Sequence, residues 1–129
     1  MRKENNGMRI LVVDDSLFMR KIIRVVVEKA GHQVIGEASN GQEAICQYKD
    51  LKPELVIMDI TMPIVSGLES LKEILRLNPD ANVLMCSAMG QEAYIKESIK
   101  NGAKGFVIKP INEMLLLEEI ERIVSDFEK

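Results

Sequence analysis

Asp14 and Asp15 directly follow the apolar run Ile10-Leu11-Val12-Val13, Asp59 follows Leu55-Val56-Ile57-Met58, and Lys109 follows Phe106-Val107-Ile108. Each charge falls where a buried strand should end. If those strands lie side by side and parallel, their ends converge on one crevice. Three carboxylates and an ammonium gathered there suit a hard divalent cation such as Mg2+ and the oxygens of a phosphoryl group. A carboxylate is a poor nucleophile toward a phosphoryl group that is itself negative, and clustered acids repel one another and the donor until a cation sits among them. The residues therefore point to phosphoryl chemistry on an aspartate.

The elements that would have to position these residues are legible as an alternation of strand and helix, five times over. Short continuous apolar runs at 8–13, 33–38, 54–58, 82–86 and 105–108 show no polar alternation, as expected of strands covered on both faces. Met19, Ile22, Ile23, Val26, Val27 and Ala30 recur at helical spacing, with Arg20, Lys21, Arg24, Glu28 and Lys29 opposite and Gly31 at the end. Asn40 with Glu43 predicts the start of a second helix that ends near Leu51, before Pro53. Leu68, Leu71, Ile74 and Leu75 mark a third, stopped by Asn78-Pro79. A fourth, over about 91–101, has only Ile95 and Ile99 as its stripe and should pack least firmly. The fifth starts near Asn112 and carries Leu116, Leu117, Ile120, Ile123, Val124 and Phe127 on one side. Five such units with short connections dictate a doubly wound α/β fold, a parallel sheet with helices on both faces. Periodicity does not fix the strand order.

A length of 129 residues suits one domain. A formal charge of −3, from 17 basic and 20 acidic residues, argues against a nucleic-acid partner, which a basic face would serve. No apolar stretch reaches the roughly 20 residues that span a bilayer, and Met1 to Gly7 lack the apolar centre of a signal peptide, so a cytoplasmic location with no membrane partner is expected. Cys46 and Cys86, far apart and outside any C-x-x-C arrangement, are expected to be buried free thiols. His32, alone in a helix-to-strand turn, has no second ligand type near it in sequence and is expected to be structural.

Asp14-Asp15, Asp59 with Met62-Pro63 and Gly67 behind it, Ser87-Ala88 after the fourth strand and Lys109-Pro110 after the fifth resemble, in that order, the receiver domain of two-component response regulators. The resemblance covers about residues 8 to 127. An Asp-Asp pair alone occurs everywhere; the whole set at strand ends is highly specific. The segments Met58-Asp59-Ile60-Thr61-Met62-Pro63 and Met85-Cys86-Ser87-Ala88-Met89-Gly90-Gln91 are similar to those of the stand-alone chemotaxis regulators. The resemblance implies a single receiver domain over 8–129 after a flexible tail over 1–7, with the flavodoxin-like strand order 2-1-3-4-5. It implies Mg2+ held directly by Asp15 and Asp59, by Asp14 through water, and by the Thr61 carbonyl. Asp59 would be the phosphoacceptor, Lys109 a fixed positive charge on the incoming oxygens, Ser87 a hydroxyl donor, and Thr61 and Ala88 backbone contacts to the phosphoryl group. A cis peptide before Pro110 would aim Lys109 inward. Ser87 and Phe106 would form the switch that alters the face made by the fourth helix, fifth strand and fifth helix.

On the same resemblance, the donor would be a chemotaxis histidine kinase of the CheA kind and the target a flagellar motor switch protein, with the chain a monomer. It would be a phosphoacceptor signalling protein that catalyses only its own phosphorylation and dephosphorylation. Ser66 stands where the family commonly has an acid before Gly67, and serine caps a helix about as well. Met89, two residues beyond Ser87, cannot hydrogen-bond a hydrolytic water, so the phosphate should persist and an auxiliary phosphatase should clear it.

Simpler readings exist for each residue taken alone. Asp14-Asp15 could cap a helix, Asp59 could sit in a turn, Lys109 could be a solvated lysine, Ser87 a strand-end polar residue, and Phe106 a plain core aromatic. For the charged four, all would have to coincide at strand C-termini. Other functions fit less well. A phosphorelay intermediate passing its phosphoryl group to a histidine phosphotransfer protein is the nearest. A haloacid-dehalogenase-type phosphatase needs its first two acids separated by one residue, and an FMN carrier needs a phosphate loop and stacking aromatics, whereas Trp is absent. A transcription regulator would need a DNA-binding domain beyond the fifth helix, which is expected only if the chain is a receiver fragment.

Overall fold

The computed structural model describes residues 7–127. The expected tail thus lies, apart from Gly7, outside the described residues. Five strands alternate with five helices: β1 Arg9–Val13, α1 Leu17–Lys29, β2 Gln33–Ala38, α2 Gly41–Leu51, β3 Leu55–Asp59, α3 Gly67–Leu77, β4 Val83–Ser87, α4 Glu92–Lys100, β5 Gly105–Ile108 and α5 Glu113–Phe127. The strands form one parallel sheet in the order β2-β1-β3-β4-β5. The chain turns back between β1 and β3, and a doubly wound sheet opens a ligand crevice at the carboxyl ends of such a pair.

The side-chain period of two splits the core into two layers. Ile10 and Val12, Leu55 and Ile57, Leu84 and Cys86, and Val107 pack with Ile23, Val26 and Val27 of α1 and Leu116, Ile120, Ile123 and Val124 of α5. Leu11 and Val13, Val56 and Met58, and Val83 and Met85 pack with Ala44 and Tyr48 of α2, Leu71 and Ile74 of α3, and Ile95 of α4. The central strands β3 and β4 are buried along their whole length, as continuous apolar runs predict.

The edges depart from that expectation. Along β5, Gly105 and Val107 are buried while Phe106 and Ile108 are exposed, because this strand has one neighbour and its outer face lacks a helix set squarely over it. Helix α4 explains part of this. Its interior face is Ile95 and Ser98, not Ile95 and Ile99, with the Ser98 hydroxyl donating to the Tyr94 carbonyl at 2.8 Å and Ile99 turned outward. Phe127 is likewise exposed at the end of α5. Cys46 corrects a further expectation. The core stripe of α2 runs through Gly41, Ala44 and Tyr48, and Cys46 falls off it and is exposed, whereas Cys86 is buried. His32 is structural as expected, its Nδ1 accepting the Met8 N–H at 3.0 Å. Among the described residues no helix is long and apolar enough to cross a membrane.

Candidate phosphoryl and metal site

The hydrogen-bond ladder continues one step past the strands and so fixes the backbone of the site. The Asp14 N–H donates to the Ala38 carbonyl at 3.0 Å, that of Ile60 to Cys86 at 2.9 Å, and that of Lys109 to Ser87 at 2.7 Å. Register pairs Val13 with Met58 and Asp59 with Cys86, which brings the ends of β1 and β3 abreast. Asp14 and Asp59 are thereby forced into proximity although 44 residues of chain separate them.

Lys109 closes the cluster. Its Nζ lies 2.9 Å from Asp14 Oδ2 and 3.3 Å from Asp59 Oδ2. The Lys109–Pro110 bond is cis. One oxygen from each of Asp14, Asp15 and Asp59 lies within 4.8 Å of the others, with Asp14 and Asp59 only 1% and 7% exposed and Asp15 open to solvent. Three carboxylates with no nitrogen or sulfur among them are the donor set of a hard cation, and one exposed member leaves a way in for a hydrated ion. The residues present fit a divalent metal.

Charge here is under tension. Burial pushes the Asp59 carboxyl above its usual range and the Asp14 charge adds to this, while Lys109 and the Thr61 N–H pull the other way without cancelling it. For Lys109 burial disfavours the ammonium, but the bond to Asp14 and the Asp59 charge outweigh it and raise its pKa. The ammonium is therefore held charged. Burial drives the neighbouring Cys86 thiol up to about 12, so it is an inert filler behind the acids.

Asp14 also organises its own turn. Its Oδ1 accepts the Ser16 N–H at 2.9 Å, its carbonyl accepts from Arg20 Nη1 at 2.7 Å, and Ser16, not an aspartate, caps α1 by accepting the Met19 N–H. Arg20 in turn donates from Nε to Glu37 at 2.9 Å, and Arg24 also pairs with Glu37. Sequence reading placed Arg20 on a solvated face and missed this support, because the pattern of a helix cannot show that its first turn leans on a carbonyl before it.

The strand-end residues beside the acids are arranged around a side chain that sequence reading did not single out. Ser87 is fully buried, and its Oγ lies 2.9 Å from the Ala88 carbonyl and 3.2 Å from Gln91 Oε1. The Ala88 N–H donates to Gln91 Oε1 at 2.8 Å, and Gln91 Nε2 donates to Thr61 Oγ1 at 2.8 Å. Gln91 thus bridges the loops after β3 and β4. Phe106, the expected switch aromatic, is 40% exposed and so stands in an outward position.

Comparison with known proteins agrees with this fold. The response regulator receiver domain family matches residues 10–121. The chain is 47% identical over 117 residues to the chemotaxis protein CheY of Thermotoga maritima, covering 91% of this chain and 98% of that one. It is 47% identical to the protein CcdB of Bacillus subtilis over the same shares of the two chains. Among solved structures it resembles a complex of CheX with CheY, BeF3 and Mg2+ from Borrelia burgdorferi, with a TM-score of 0.86 and 33% identity over 89% of this chain and 87% of that one.

Proposed function

The chain belongs to the response regulator receiver family, and from that premise we infer that Asp59 accepts a phosphoryl group from the phosphohistidine of a chemotaxis kinase, in the cytoplasm. The observation that carries this reading is the Lys109 ammonium set 2.9 Å from Asp14 and 3.3 Å from Asp59 at the crevice end of a parallel sheet. An Asp59 oxygen attacks phosphorus, the phosphorus–nitrogen bond breaks, and the imidazole leaves with the electron pair. Lys109 offers a fixed positive charge to the phosphoryl oxygens, the Ser87 hydroxyl and Ala88 N–H donate to them, and the Thr61 N–H steadies the Asp59 carboxylate. Positioning and charge neutralisation supply most of the catalysis in phosphoryl transfer, so this small set is sufficient.

Mg2+, when bound, neutralises the acids that would otherwise repel the donor. Asp15 and Asp59 would hold it directly, Asp14 through water, and the Thr61 carbonyl would complete the protein's share; the all-oxygen trio supports that assignment. Phosphorylated protein would present the α4–β5–α5 face to a flagellar motor switch protein, where exposed Tyr94, Ile99, Phe106, Ile108 and Leu115 offer apolar contact. The exposed Met89 side chain has no polar group of its own to orient water on the acyl phosphate, which gives an auxiliary phosphatase its place.

Transfer of radiolabelled phosphate from an autophosphorylated histidine kinase tests the reading. Label should reach the wild-type chain and not Asp59→Asn, and Met89→Glu should shorten its lifetime on the protein. Label that leaves for a histidine phosphotransfer protein faster than for water would instead mark a relay intermediate.

A further inference from the structure

Gln91 occupies the cap position of α4 yet makes no capping bond with its side chain. Glutamine is a poor choice for that position, where a short polar side chain serves best. Its amide is turned away from the helix and into the site. Gly90, at φ 88 with nothing within 4 Å of where a Cβ would stand, provides the left-handed turn just before it.

The orientation of the amide is fixed by its partners. The Ala88 N–H can only donate, so the atom 2.8 Å from it is the oxygen, and the nitrogen then faces Thr61 Oγ1, also at 2.8 Å. The same oxygen lies 3.2 Å from Ser87 Oγ. One carbonyl oxygen therefore collects the Ala88 N–H and lies beside the Ser87 hydroxyl, whose nearer acceptor is the Ala88 carbonyl at 2.9 Å. Backbone donors take an acceptor where one is in reach, and for the Ala88 N–H Gln91 supplies it in the unphosphorylated protein.

We propose that Gln91 is a displaceable internal ligand: its side-chain oxygen stands in for a phosphoryl oxygen on the Ala88 N–H, next to the Ser87 hydroxyl, and its nitrogen ties that state to the Thr61 loop. The inference rests on the phosphoryl-site reading and deepens it. An incoming phosphoryl group has to evict the amide, which releases the segment Ala88–Gln91 and with it the first turn of α4. Gln91 is accordingly a positioning residue that weights the equilibrium toward the unphosphorylated arrangement. Its removal should tighten binding of any phosphoryl mimic, since part of the binding free energy no longer goes into breaking these bonds.

The test is a titration of wild type, Gln91→Ala and Gln91→Glu with beryllofluoride and Mg2+, followed by 15N-resolved NMR. One to two hydrogen bonds of ordinary net strength correspond to a Kd lower by roughly 3- to 10-fold in Gln91→Ala. The Ala88 amide should exchange faster with water in that variant before any ligand is added, which a purely structural role for Gln91 in α4 does not require. Gln91→Glu keeps the acceptor and adds a negative charge, so its affinity should fall below that of wild type. Thr61→Val removes only the Nε2 acceptor and should shift Kd in the same direction as Gln91→Ala by a smaller factor, which keeps the test open if Gln91→Ala folds poorly. Unchanged or weaker binding by both Gln91→Ala and Thr61→Val, with wild type binding normally, overturns the internal ligand alone. Failure of wild type to bind at all overturns the phosphoryl site and this proposal with it.

Discussion

Asp59 is held at a position where burial and the Asp14 charge both disfavour its ionised form, and Lys109 with the Thr61 N–H only partly relieve this. A carboxyl whose pKa is raised on folding binds its proton more tightly in the folded state. Its contribution to stability is full below the ordinary carboxylate pKa and is lost as pH rises through the raised value. At neutral pH the charge is thus a cost retained for reactivity, as functional sites commonly show. Asp59→Asn should raise the thermal midpoint at pH 7 by a few degrees in Mg2+-free buffer, and the gain should shrink as the pH falls through the raised value and be gone below the ordinary carboxylate pKa. Added Mg2+ should stabilise wild type more than Asp59→Asn, because a ligand stabilises only the form that binds it. Differential scanning calorimetry at several pH values reads both effects, and a less stable Asp59→Asn at neutral pH would contradict this electrostatic description.

Loops, more than strands, decide how the nucleophile is presented. After β3 the chain passes Thr61 and Pro63, takes a left-handed conformation at exposed Ile64 with φ 70, and enters α3 through a Ser66/Glu69 capping box. A β-branched residue rarely adopts that conformation, and strain of this kind collects beside reactive groups. Gly67 locks the arrangement. Its N–H donates to the Ile60 carbonyl at 2.7 Å, and a Cβ there would fall 2.0 Å from the Asp59 carbonyl oxygen and 2.7 Å from Ile60 Cα. Both obstacles are backbone, so neither can swing aside. Gly67→Ala should cost about 2 kcal/mol or more in urea unfolding and displace the Asp59 loop. Phosphorylation of this variant should slow more than that of a comparably destabilised core variant such as Ile74→Ala, followed by intact mass. The Ser66 cap was foreseeable from the sequence, whereas the backbone contact of Gly67 was not, since only the fold brings the Asp59 carbonyl beside it.

At the scale of the molecule, periodicity revealed the five βα units because β3 and β4 are buried on both faces and read as unbroken apolar runs. It could not rank the strands, as order depends on which face each helix takes; the resemblance implied 2-1-3-4-5 and the sheet has it. The charged residues of the site were legible for a simple reason: a charge at the end of a buried apolar run must meet an opposite charge or a ligand there, and four such residues at strand ends define one crevice. Gln91 was illegible because its contacts cross from the β4–α4 loop to the β3–α3 loop, a relation no local pattern encodes. The same limit hid the outward faces of β5 and α4, where Phe106, Ile108 and Ile99 are exposed. All of this depends on Asp59 being a nucleophile within a metal-binding acidic crevice. Incubation of wild type and Asp59→Asn with acetyl phosphate, with and without Mg2+, followed by intact-protein mass spectrometry, tests it most directly. The account predicts a gain of one phosphate, roughly 80 Da, in wild type only when Mg2+ is present, and none in Asp59→Asn. An equal gain in the variant, or a wild-type gain indifferent to Mg2+, would contradict it.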